Sequence, residues 1–150
     1  MQAGALLNNR CLWCSFFAWL IAQALKIPIA GLLHEKIDFK RFFASGGMPS
    51  SHTAMVVSLA LMVGDSCGWD SVYFAMCSVF GAIVMYDAAN VRLETGRQGK
   101  VINDILHSAL FEGRPITDRE MKEIVGHTPL EVLGGAIVGI ALACFWIFVL

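Results

Sequence analysis

Charged residues are scarce in this sequence, and that scarcity excludes an ordinary soluble domain. They make up 15% of the chain, whereas soluble proteins carry roughly 25%. Apolar residues make up 57%, and the mean hydropathy is +0.64. We therefore expect a membrane protein. The formal net charge is −1, so no basic field favours nucleic acid, and we expect no nucleic-acid partner.

The sequence also lacks the cysteine pattern of a disulfide framework. Its five cysteines are an odd and scattered set. Cys11 and Cys14 form a C-x-x-C within an aromatic stretch, but no second pair follows to complete a metal site. Packing as small apolar side chains is the favoured interpretation. We expect neither a metal nor a cofactor.

Internal repeats are missing as well, and a length of 150 residues predicts one domain, residues 1–150. The last two apolar segments are long enough to cross a bilayer, whereas the second is short and needs tilting or shielding. Lys26 and Pro28 interrupt the first, so we expect its crossing part to end near residue 25. The fold class is an all-α membrane protein with about four transmembrane helices, at about 11–33, 52–64, 71–90 and 132–150.

Two polar loops, residues 34–51 and 92–127, separate the apolar segments. The second contains helical patterns, which predict one or two amphipathic surface helices. Ten of the eleven Lys and Arg residues lie in these loops or at Lys26. Because basic loops stay on the cytoplasmic side of membranes, both loops are predicted to lie on the cytoplasm-equivalent side.

The stretch GGMPSSH precedes the second apolar segment and has two interpretations. Ser50 or Ser51 suits a helix cap that bonds the first-turn amides. The same residues also suit an anion site, because a helix start offers N–H groups and a positive dipole end. His52 would add a group that transfers protons near neutral pH. The motif alone leaves both interpretations open.

A second histidine lies in HTPLEV at the start of the last segment. Glu131, four residues after His127, could hold the imidazole in one tautomer, as in a catalytic triad. Alternatively, T-P-L-E is a capping box in which Glu131 bonds the Thr128 amide. His34 and His107 lie among charges and are expected to be solvated.

The third segment ends in MYDAANVR, which places Asp87 and Arg92 at the membrane boundary. The two could simply neutralise each other. Alternatively, Arg92 or Arg97 binds a phosphate through its forked donors, with Asp87 as a supporting residue. In the four-span arrangement, these residues gather with His52 and His127 at one membrane face, where ionisable groups generally mark function.

Taken together, GGMPSSHTA, VMYDAANVR and GHTPLEVLGGAIVG, in this order, resemble the divergent branch of the type 2 phosphatidic acid phosphatases. That branch is a membrane relative of the vanadium-dependent haloperoxidases. The likeness covers nearly the whole chain, including the AQALK that closes the first segment. It implies phosphoester hydrolysis without a metal, with helices surrounding a buried phosphate.

The resemblance also implies roles for individual residues. PSSH makes His52 the general acid and Ser50 and Ser51 phosphate contacts. H-x3-E makes His127 the nucleophile, which forms a phosphohistidine, and Glu131 its orienting partner.

This chain departs from the superfamily pattern chiefly in its cations. No K-x6-R-P precedes PSSH, and Met121 stands where the later motif has arginine. Because the charge of a transferring phosphoryl group must be offset, the cations have to come from elsewhere. Arg92 is the first candidate, and Arg97, Lys40 or Lys122 follow.

The sequence favours two functions over a lipid or anion carrier and over haloperoxidase chemistry. The first is a small membrane phosphatase that acts on a lipid phosphate among membrane lipids. The second is a catalytically silent relative that serves as a structural subunit of a larger membrane complex, with other membrane subunits as partners.

Overall fold

The computed structural model describes residues 7–32, 47–111 and 128–149, and it has no strand within these ranges. Its α-helices are α1 (Arg10–Leu32), α2 (Ser51–Cys67), α3 (Val72–Tyr86), α4 (Arg92–Phe111) and α5 (Pro129–Val149). A π-helical turn, Asp87–Val91, joins α3 to α4. The predicted all-α class is confirmed.

Within the described ranges, three helical stretches are long and apolar enough to cross a membrane: Arg10–Leu32, Val72–Ile105 and Pro129–Val149. α2 has 17 residues. At 1.5 Å per residue it is about 26 Å long, slightly shorter than the ~30 Å hydrocarbon core. The fold is thus that of a membrane protein in which α2 is shorter than each of these three stretches, as its short apolar segment in the sequence suggests.

The helix α1 continues to Leu32 with Pro28 inside it, so Lys26 and Pro28, which interrupt the apolar run, do not end the helix. Proline cannot donate a backbone hydrogen bond, so it removes one bond from a helix. Here the loss falls in the last turns of α1, where little helix follows. Lys26 is consequently part of the helix and not of a loop.

α2 lies at the centre of the bundle and packs against α1, α3 and α5. Two buried clusters hold it there: Cys14 with Met62 and Ala143, and Ala18 with Ala22 and Ala54. The start of α1 therefore meets the end of α2, so these two helices are antiparallel. α5 runs parallel to α2, because Gly135 faces Ser50 and Gly139 faces Ala54.

α3 is antiparallel to α2, since a Cβ placed on Gly81, late in α3, would lie 3.7 Å from the Val56 side chain, early in α2. Much of its remaining surface is apolar and exposed, as suits a lipid-facing helix: Val72, Tyr73, Met76, Val79, Phe80 and Ile83. The end of α1, the start of α2, the end of α3 and the start of α5 thus lie at one end of the bundle, which we call the site end.

The helical path continues beyond the predicted third segment. Residues 92–111, expected to belong to a polar loop with helical parts, form α4, which follows the π-helical turn directly. π-Helical turns insert one extra residue and are frequent at functional sites. This turn also contacts α5, so Asp87 begins a segment that packs against another helix of the site end.

Candidate functional site

The start of α2 is a buried helix cap. Gly47 has φ 80°, a left-handed conformation that favours glycine. Ser50 is fully buried, and its Oγ accepts hydrogen bonds from the Thr53 N–H at 3.4 Å and from the Thr53 Oγ1 at 3.0 Å. The cap interpretation is therefore correct for Ser50. Ser51, the first residue of α2, is 1% exposed.

The start of α5 is capped reciprocally. The Thr128 N–H donates to Glu131 Oε2 at 3.0 Å, and the Glu131 N–H donates to Thr128 Oγ1 at 3.4 Å. This is the capping box that the sequence T-P-L-E allows, with Pro129 at the first helical position. One oxygen of Glu131 thus has a structural role.

A backbone hydrogen bond joins the two helix starts. The Ser50 N–H donates to the Glu131 carbonyl oxygen at 2.9 Å. Glycine makes this approach possible, because a Cβ on Gly135 would collide with the Ser50 carbonyl oxygen and lie 2.9 Å from the Thr53 Cβ. Two positive helix ends are therefore held next to each other, an arrangement that favours a bound anion.

The predicted histidines are described only in part. His52 lies in the first turn of α2, beside this junction, and is half-buried. His127 directly precedes Thr128 but lies outside the described residues, as does Lys40. That the two imidazoles share one anion stays a prediction, and so does the orienting role of Glu131.

Lys26 lies at the site end, although in the sequence it served only as a segment boundary and as one of the basic residues that indicate orientation. It is 3% exposed and lies on the buried face of α1, which also carries Ala22 and Ala30. It interacts electrostatically with Glu131. Its signal in the sequence was a single charge within an apolar run, which by default marks function or an ion pair.

Gln23 lies one turn before Lys26 on the same buried face. Its side chain is 7% exposed, and its Oε1 has no hydrogen-bond partner among the described residues. Buried acceptors are nearly always satisfied, so this oxygen needs a donor from elsewhere.

The residues proposed around the third segment are more dispersed. Asp87 is half-buried at the start of the π-helical turn. Arg97 is exposed and pairs with Glu94 at 2.6 Å, so its charge is engaged by a neighbour on α4. The side chain of Arg92 lies outside what the structure describes.

A metal centre is not evident in the part of the chain that the structure describes. None of its His, Cys, Asp and Glu residues form a group of three or more that could hold a metal ion. The chemistry available there is that of helix ends, hydroxyl groups, an imidazole, a buried lysine and a half-buried glutamate.

Comparison with known proteins identifies the family of this chain. The family model for the "Divergent PAP2 family" matches residues 7–142. The membrane protein YuiD of Bacillus subtilis (strain 168) is 36% identical over 147 residues, which cover 91% of this chain and 93% of YuiD. No solved structure matches this chain. The matched region includes the helix starts of both α2 and α5.

Proposed function

Because the chain belongs to the divergent PAP2 family over residues 7–142, we propose that it is a membrane phosphatase acting on lipid phosphates without a metal. The observation that carries the proposal is the hydrogen bond from the Ser50 N–H to the Glu131 carbonyl at 2.9 Å, which joins two helix starts. Two such ends offer amide donors and positive dipole ends to one phosphate.

The proposed reaction has two balanced steps. A ring nitrogen of His127 attacks phosphorus, a P–N bond forms and the P–O bond to the lipid breaks, while His52 donates a proton to the leaving oxygen. Water then attacks phosphorus, the P–N bond breaks, and His52 takes a proton from the water. Inorganic phosphate leaves, and both imidazoles return to their starting states.

The remaining proposed residues bind or orient the phosphate. Ser51 and the amides of the first turn of α2 contact its oxygens, and Ser50 fixes that turn as its cap. Arg92, Arg97 and Lys40 are proposed contacts from outside the bundle. Arg97 would exchange Glu94 for the phosphate.

Asp87 is proposed to support the site from the π-helical turn, which packs against α5. It would orient an arginine, as a carboxylate does in a bidentate pair.

Release of inorganic phosphate from phosphatidic acid in detergent micelles tests the proposal. We expect the purified protein to release phosphate, the His127→Ala variant to lose this activity, and the His52→Ala variant to lose about 10²- to 10⁴-fold, the usual range for a general acid. His34→Ala is the matched control and should retain activity. Activity that survives His127→Ala would contradict the proposed nucleophile.

The same experiment distinguishes a phosphatase from the second function that the sequence allows, a structural subunit. A folded wild-type protein that releases no phosphate from any lipid phosphate, and copurifies with other membrane proteins, would be a catalytically silent structural subunit.

We also propose that the site end faces the cytoplasm-equivalent side, because the two segments that carry most of the basic residues follow or precede helix ends found there. In a cysteine-free background, a cysteine at Lys36 should react with an impermeant thiol reagent only after the membrane is opened. A cysteine at Asp70, in the connection between α2 and α3, should react in intact cells. The reverse pattern would contradict this orientation.

A further inference from the structure

We infer that Lys26 supplies the buried positive charge of the anion site and that Glu131 holds its ammonium group there while no anion is bound. This assignment rests on the proposed function and names the cation that the family motifs of this chain do not provide. It also gives Glu131 a role toward Lys26 in addition to any role toward a histidine.

The first support is the position of Lys26 in the bundle. Ala22 packs in one cluster with Ala54, and α1 and α2 are antiparallel. Lys26 is one turn beyond Ala22, and Ser50 is one turn before Ala54, so Lys26 and Ser50 lie at the same level. Because α1 packs against both α2 and α5, Lys26 lies beside the joined starts of these two helices, on the side that α1 covers.

The second support is its burial. Lys26 is 3% exposed within a helix long and apolar enough to cross a membrane. An ionisable residue in such a helix is costly, and it generally faces the interior, pairs with another charge and marks a functional site. Glu131, half-buried in the first turn of α5 at the same end of the bundle, is the carboxylate whose field favours the charged form of Lys26.

The charge balance of the site also favours an anion. When both are charged, Lys26 and Glu131 neutralise each other, whereas each of the two helix starts contributes about half a positive charge. The site therefore keeps a positive field with no net opposing charge from this pair, and a protonated His52 would increase it. An ammonium has three N–H donors, so Lys26 can bond a phosphate oxygen and Glu131 together.

Gln23 gives an independent indication of a ligand. Its Oε1 is buried without a hydrogen-bond partner among the described residues, and it lies about 4.5 Å along the helix axis from Lys26 on the same face. A ligand with a hydroxyl group would satisfy it. The P–OH of a phosphomonoester monoanion is such a group, and this defines the chemical class of the ligand.

The test measures the binding of inorganic phosphate to the purified full chain in detergent by titration calorimetry. The decisive variant is Lys26→Met with Glu131→Gln, because removing both charges leaves no uncompensated buried ion that would itself prevent folding. We expect this double variant to bind phosphate about 10- to 100-fold more weakly, as the loss of a charged hydrogen bond predicts. Lys100→Met, which removes an exposed lysine, is the control and should bind normally.

Two single variants separate the roles within the pair. Glu131→Gln keeps the capping acceptor but removes the competing charge, so it should bind phosphate more tightly than the wild type. Lys26→Arg keeps the positive charge and should retain most of the affinity. A Glu131 that only oriented a histidine would leave phosphate affinity unchanged.

Two failures are distinguishable. If the double variant binds phosphate as the wild type does, or the wild type binds none, the inference about Lys26 is wrong, whether or not phosphatidic acid is hydrolysed. If binding depends on Lys26 but the wild type hydrolyses no phosphatidic acid, the inference stands and the proposed phosphatase function is wrong.

Discussion

The substitution Gly135→Ala should disturb the junction of α2 and α5 more than any comparable change. The added Cβ would collide with the Ser50 carbonyl oxygen and come within 2.9 Å of the Thr53 Cβ. Both atoms are held by the buried cap, so neither can move like the end of a flexible side chain. The two helices must separate, and overpacking of this kind costs about 1–3 kcal/mol.

Thermal unfolding in one detergent, followed by circular dichroism, measures this cost. For a chain of this size, 1 kcal/mol corresponds to roughly 2–4 °C in Tm, so Gly135→Ala should lower Tm by about 2–12 °C. The matched control is Gly81→Ala, whose Cβ would lie 3.7 Å from Val56, an ordinary van der Waals distance. Its Tm should stay the same or rise slightly, because alanine favours the helix over glycine.

The same variant links packing to function. Separation of the helices moves the Ser50 cap away from α5, and a shift of about 1 Å in a site can lower turnover about 10²-fold. Phosphate release by Gly135→Ala should therefore fall even at temperatures at which the variant is folded. Equal Tm values for Gly135→Ala and Gly81→Ala would refute the close packing of Gly135 against Ser50 and Thr53.

The caps, the core and the metal-free reaction can each be tested separately. Ser50→Ala removes the buried cap of α2, so it should destabilise the protein by about 0.5–2 kcal/mol and reduce phosphate release. Ser71→Ala removes the part-buried cap of α3 and should affect stability alone. Similar losses of activity in the two variants would contradict this prediction. Met62→Ala should lower the free energy of unfolding, measured with a chemical denaturant, by about 2–5 kcal/mol, because the Met62 side chain is 1% exposed. Met55→Ala should lower it far less, because Met55 is 42% exposed. Equal losses of stability would place Met62 outside the core. A metal chelator should leave phosphate release unchanged, and inhibition that added Mg²⁺ or Zn²⁺ reverses would contradict a metal-free reaction.

The sequence predicted the class of fold and the helix starts well, because these depend on local chemistry. The apolar runs specify helices in a membrane, and PSSH and T-P-L-E carry the residues that cap them. For Ser50, the structure shows the cap that the motif allows. The cap and the proposed anion site are compatible. The Ser50 Oγ accepts hydrogen bonds from the Thr53 N–H and Oγ1, and this leaves the first two amide groups of α2 for an anion.

The buried faces were harder to predict, because hydrophobic periodicity carries little information in a membrane helix. Lipid-facing and core-facing positions are both apolar, so burial follows small residues that permit close approach, such as Gly135, Gly139 and Ala54. Lys26 was missed for a different reason. Its charge was interpreted as the boundary of the crossing part, whereas α1 continues through Pro28 with Lys26 on its buried face.

The central claim is that the starts of α2 and α5 share one anion, and nitrogen NMR of labelled histidines tests it most directly. The chain has four histidines, so each ring can be assigned by single substitution while inorganic phosphate is titrated into the purified protein. His52 and His127 should shift together with one common Kd, while His34 and His107 remain unchanged. Shifts of only one ring of the pair, or of the two with different Kd values, would contradict a shared site.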